Sequence, residues 1–146
     1  MQPPGRLLEE VKLENGLSIS FYDCSRPVIG DRYYVELLVS VPLEVRADYF
    51  KDLDDPVKAH EAFSAAHGRI VAFDQKKIRN FVAKNEVPAL LRHLQNEFLL
   101  SSGAYLLKED FPAKFIRKQF REWNERQQLQ ARMEAAFEAE PPDQDL

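Results

Sequence analysis

The chain is poor in the residues from which small catalytic and metal sites are assembled: among 146 residues there are one cysteine and three histidines. The single thiol, Cys24, excludes an intrachain disulfide, and nothing in the cysteine usage marks an oxidising compartment. His60, His67 and His93 include no pair at the i, i+4 spacing that sets two imidazoles on one metal. Asp52, Asp54 and Asp55 lack the glycine and the bidentate glutamate of a calcium loop. No metal or other cofactor is expected. Glycine numbers only five, with no group that would form a phosphate cradle. No apolar run approaches the roughly 20 residues that span a bilayer. The first ten residues also lack the basic head and apolar core of a signal peptide. These absences give the expectation of a cytoplasmic protein without a membrane partner.

Hydrophobic residues make up 45% and charged residues 30%, with a formal net charge of -4. Such a chain folds, and its charge argues against a polybasic nucleic-acid binder. The length suits one domain. We expect it over residues 1–139, with a loose lead-in at 1–6 and a disordered acidic tail at 140–146.

Residues 33–45 carry the clearest pattern. The odd positions Tyr33, Val35, Leu37, Val39, Val41, Leu43 and Val45 are all apolar, whereas the even positions Tyr34, Glu36, Leu38, Ser40, Pro42 and Glu44 are mixed. Successive side chains of a strand point to opposite faces, so this is a strand with one apolar ridge that must be covered and one face open to water for much of its length.

Upstream, apolar residues alternate on both sides of Asn15-Gly16. A two-residue loop would oppose apolar to polar side chains. A three-residue loop, Glu14-Asn15-Gly16 with Gly16 left-handed, sets Leu13 opposite Leu17 and Val11 opposite Ile19, and is predicted for that reason. The stretch 24–32 is expected to be a plain connection.

Downstream, Asp55 as N-cap, Pro56 at the first position and Gly68 past the end frame a helix over 56–67. Residues 69–73 predict a strand. Residues 78–83 favour extended structure, leaving open whether 74–84 continues the strand, turns as a hairpin or is partly helical. A helix opens at Val87-Pro88 and is expected to end near Ser101-Ser102-Gly103. Another opens at Asp110-Phe111-Pro112 and runs to about Glu138, beyond its apolar stripe of Phe115, Ile116, Phe120 and Trp123. The fold class is therefore α+β: a small antiparallel sheet of about four strands, in chain order β-β-β-α-β, with one face covered by two C-terminal helices.

Function is less legible. Cys24 has no assignable base, and the serines lie in no elbow motif, so a catalytic reading is not favoured. Residues 69–92 hold Arg69, Lys76, Lys77, Arg79, Lys84 and Arg92 against Asp74 and Glu86. Lys76, Lys77, Arg79 and Lys84, together with Arg117 and Arg121 of the last helix, are candidate phosphate or acidic-partner contacts. A solvated strand edge guarded by lysines explains the same residues. Arg26 and Arg32, on either side of Gly30-Asp31, can clamp an oxyanion or be held by Asp31. The favoured reading is a non-catalytic interaction module that binds a protein partner or forms a homodimer. Its alternative is nucleotide or nucleic-acid phosphate binding through 76–84 and the basic face of the last helix.

Overall fold

In the computed structural model, which describes residues 4–139, the apolar strand of the middle of the sequence is the spine of the molecule. Strands β1 (Arg6–Lys12), β2 (Ser18–Asp23), β3 (Arg26–Ile29), β4 (Arg32–Glu44) and β5 (Ile70–Ala83) form one antiparallel sheet. Helix α1 (Pro56–His67) lies between β4 and β5 in the chain, and α2 (Val87–Leu106) and α3 (Phe111–Ala139) follow. β4 pairs with β5 along one edge and with both β2 and β3 along the other. β2 and the start of β3 meet β4 in one continuous register across Cys24 and Ser25, where the Cys24 amide donates to the Glu36 carbonyl at 2.9 Å. The sheet is thus four strands wide, as the α+β reading expects, with helices on one face.

Local chemistry explains the turns. Val11 pairs with Ile19, the Gly16 amide donates to the Leu13 carbonyl at 3.0 Å, and the Leu13 amide donates to the Leu17 carbonyl at 2.8 Å. Gly16 has φ 90°, the conformation that the three-residue loop requires. α1 begins where the Asp55 carboxylate accepts from the Lys58 amide at 3.3 Å, and Gly68 ends it.

Four expectations need correction. Residues 24–32 are not a plain connection, because they contain β3, which turns into β4 through Gly30-Asp31. Pro27 is tolerated there since β3 is a short edge strand. The lead-in does not extend to Arg6, which opens β1 opposite Asp23. A register shift between Leu7 and Glu9 brings Leu8 to the core side, so the sequence shows no clean alternation. Just before it, a Cβ on Gly5 would lie 2.6 Å from the Asp23 carbonyl and 2.8 Å from the Cys24 sulfur, so only glycine passes so close. α2 does not stop at Gly103 but runs to Leu106, because Leu106 is fully buried and Asn15 Nδ2 donates to its carbonyl at 2.9 Å. On the open face Leu38 is only 7% exposed, screened between its register neighbours Tyr22 and Lys76. The expected tail at 140–146 lies outside the described residues.

Residues 74–84 resolve as continuation of β5 into a short 3-10 turn, Lys84–Glu86. Between Tyr33 and Val35 the ladder shifts, leaving Asn80 and Phe81 against Tyr34. Phe81 takes φ 60° there.

The ridge Val35, Leu37, Val39, Val41 and Leu43 is buried. α2 covers its middle with Leu91, Leu94 and Phe98, whose ring meets Phe21 edge-on at 5.9 Å. α3 covers the same face unequally. Phe111 and Phe115 reach Phe73 of β5 at 5.5 and 5.4 Å, while Phe120 and Trp123 turn to Phe50 and Phe63 on the 3-10 turn Ala47–Phe50 and on α1. All of these side chains lie in or pack against one buried cluster.

Candidate interaction site

The feature that packing leaves unexplained is the second half of α3. Residues 125–139 contain neither glycine nor proline and are rich in Ala, Glu, Gln, Arg, Leu and Met, so helix propensity carries the helix on without support from the body. Gln130 Nε2 donates to Glu134 Oε1 at 3.1 Å, an i, i+4 contact of the kind that supports a solvated helix. Beyond Asn124 every described residue is exposed. At 1.5 Å per residue the projecting half is about 22 Å long. Yet it is not polar all round. Leu129, Met133 and Phe137, one turn apart on one face, are 52%, 63% and 79% exposed, flanked by Arg126, Gln130, Glu134 and Glu138.

The first half of α3 borders a groove of about 870 Å³ with an apolar lining from Leu53, Phe73, Tyr105, Phe115 and Phe120. Lys114, Arg117, Lys118 and Arg121 stand along it at i, i+3, i+4 and i+7, hence on one side of the helix. Lys114 Nζ lies 2.8 Å from Asp110 Oδ2. This pairing raises the lysine above its ordinary pKa and lowers the carboxyl below its own. Arg117 Nε donates to the Tyr49 carbonyl at 2.9 Å and so tethers α3 to the 3-10 turn. Lys118 and Arg121 have no ion-pair partner among the described residues.

The other basic residues chosen from sequence are divided among different places. Strand alternation sends Lys76 to the open face beside Leu38, but Lys77 and Arg79 to the helix-covered side opposite Leu37 and Val35. Arg79 Nη1 donates to the carbonyl of Ile78, and Lys84 lies past the strand end, its amide donating to the Asp31 carbonyl. Arg26 lies over the Tyr34 ring at 4.5 Å. Arg32 lies 5.7 Å from the Phe81 ring and only loosely, at 3.8 Å, from Asp31. Segment 76–84 therefore does not present its charges on one surface.

Cys24 sits on the open face opposite Glu36. Burial pushes its thiol up, and the carboxylates of Glu36 and Asp23 push it further, so at neutral pH it is held as a thiol rather than a nucleophilic thiolate. The sulfur lies 3.5 Å from the Pro4 carbonyl, and Glu36 already accepts from the Tyr34 hydroxyl at 2.6 Å. The histidines are engaged elsewhere. His60 rests against Phe50 at 5.4 Å, His67 stacks on Phe63 at 4.2 Å, and His93 lies 3.5 Å from Glu97. Among the described residues no three His, Cys, Asp or Glu side chains are grouped to hold a metal, and no helix is long and apolar enough to cross a membrane.

The sequence locates the projecting stripe, but not the groove. Leu53, Phe73, Tyr105 and Phe115 come together from distant segments, and no spacing rule links them. No family model, curated protein or solved structure matches this chain.

Proposed function

We propose that this is a non-catalytic, single-domain interaction module of the cytoplasm, and that it engages a protein partner or a second copy of itself through the projecting half of α3. The observation that carries the reading is the placement of Leu129, Met133 and Phe137 on a helix that extends past its own body, where among the described residues they join no part of the buried core. A helix with one apolar face and a charged border is the form in which helix-in-groove and helix-on-helix contacts are made. The test is the triple substitution of Leu129, Met133 and Phe137 to Ser. Light scattering should show lost self-association, or the immobilised chain should no longer capture its partner. Unchanged behaviour in both assays overturns the proposal.

A second reading, binding of nucleotide or nucleic-acid phosphate, is favoured by one observation: Lys118 and Arg121 share a groove with Arg117 and carry uncompensated charge. It requires affinity that falls steeply with added salt. Titration with nucleotides and oligonucleotides that produces no salt-dependent signal removes it.

A further inference from the structure

We infer that the occupant of the α3 surface is a second copy of this chain, seated antiparallel, so that the projecting half of each α3 lies along the body-proximal half of the other. This rests on the reading of α3 as the interaction element and adds the partner and its direction. Phe115, Glu122, Arg126, Leu129, Met133 and Phe137 follow one another at spacings of seven, four, three, four and four residues, so they form a single stripe that starts at the edge of the groove with Phe115 and runs to the tip. A self-associating helix would use the whole stripe, and its charges fix the direction. A parallel pair in register sets Glu122 on Glu122 and Arg126 on Arg126 and brings the two bodies to the same end. An antiparallel pair with Glu122 opposite the second copy's Arg126 makes both seam contacts attractive, and the two-fold axis repeats them.

The same offset places Phe115 opposite Met133 of the second copy. It also brings Phe137 level with Phe111, whose ring is edged at 5.0 Å by the half-exposed Tyr105. On one flank Arg121 comes within a residue or two of the second copy's Glu125. All four charges are available for such contacts. Glu122 with Arg126, and Arg121 with Glu125, have the i, i+4 spacing of salt bridges within a helix, but neither pair closes to 4.0 Å, whereas Asp110 and Lys114 at that spacing close to 2.8 Å.

Interface size points the same way. A tip-to-tip contact of three side chains, even at about 150 Å² each, falls well short of the roughly 800 Å² per partner of a standard interface. The antiparallel seat uses the whole stripe from Phe115 to Phe137 of each copy, the tip and the body-proximal half together. The two halves of α3 also match in length, since Asn124 divides Phe111–Ala139 near its middle.

The test is sedimentation equilibrium on the full chain and on Glu122→Arg, Arg126→Glu, the double reversal, and the triple Ser variant, with far-UV circular dichroism and Trp123 fluorescence to confirm folding. The expected result is a wild-type dimer, weakened roughly tenfold or more by each single reversal, restored by the double reversal and abolished by the triple Ser change. A parallel pair would gain nothing from the double reversal. A wild-type chain that stays monomeric at about 100 μM, where a micromolar dimer is almost fully formed, overturns this inference and leaves the partner-capture assay to decide the proposed function. A dimer abolished by the triple change but indifferent to both single reversals overturns the antiparallel seat alone. A dimer that survives the triple change overturns the seat, and the helical reading then depends on partner capture.

Discussion

Asp23 and Glu36 both act on the Cys24 thiol, and only one of these relations is visible in the sequence. Asp23 and Cys24 are neighbours, but Glu36 arrives through strand pairing, twelve residues on. For Asp23, burial alone would raise the carboxyl. The hydrogen bonds from Ser25, including its amide at 2.9 Å, and the Arg6 guanidinium at 3.3 Å outweigh burial and hold it below the ordinary aspartate value. A carboxyl whose folded pKa is lowered stabilises the fold fully above its unfolded pKa, near 4, and loses that contribution as pH falls through the folded value. Asp23→Asn should therefore lower stability by about 1 kcal/mol or less at pH 7. The deficit should shrink once the pH drops below about 4. Urea unfolding of both proteins between pH 3 and 7 checks this, and a difference independent of pH would show that shape rather than charge matters at this position. Phe81 is illegible for another reason. Nothing in Asn80-Phe81-Val82 announces a bulge, and an aromatic residue at φ 60° costs about 1 to 2 kcal/mol. The pairing of β4 with β5 on both sides of the shift imposes it.

At the level of elements, legibility follows how local the deciding interaction is. α1 is bounded by its own cap residues, and the Asn15-Gly16 hairpin by the alternation beside it, so both are readable. The end of α2 is decided 91 residues away, where Asn15 Nδ2 reaches the Leu106 carbonyl, and so is not. Asn15 has two functions, because its Oδ1 also accepts from the Leu17 amide at 3.1 Å within the turn. Asn15→Asp keeps the acceptor and removes the donor, while Asn15→Ala removes both. Ala should cost about 1 to 2 kcal/mol and Asp about half as much. In both variants, amide exchange should accelerate in the last turn of α2. If exchange there is unaffected, burial of Leu106 alone holds that turn.

For the whole molecule, alternation in residues 33–45 and the stripes of the last two helices were enough to read the class and the covered face, but not the short edge strand Arg26–Ile29, which adds one strand to the expected chain order. The division of α3 into a supported and an unsupported half was also readable, because its apolar stripe thins after Trp123. That α3 divides its supported half between the sheet and α1 was not, since Phe50, Phe63, Phe120 and Trp123 meet only in three dimensions. This division gives a sharp expectation for a chain ending at Asn124. No described residue beyond that point is buried, so in dilute solution the shortened protein should unfold within about 0.5 kcal/mol of the full chain, as for a change confined to exposed surface. The two should part company as concentration rises. A helix that binds a second copy adds stability by mass action, so the full chain's Tm should climb with protein concentration while that of the shortened chain stays level. Scanning calorimetry over a hundredfold concentration range separates the cases. Parallel, flat behaviour of both chains would mean that the apolar stripe takes a different protein, and a large loss of stability in dilute solution would mean that α3 supports the body beyond Trp123.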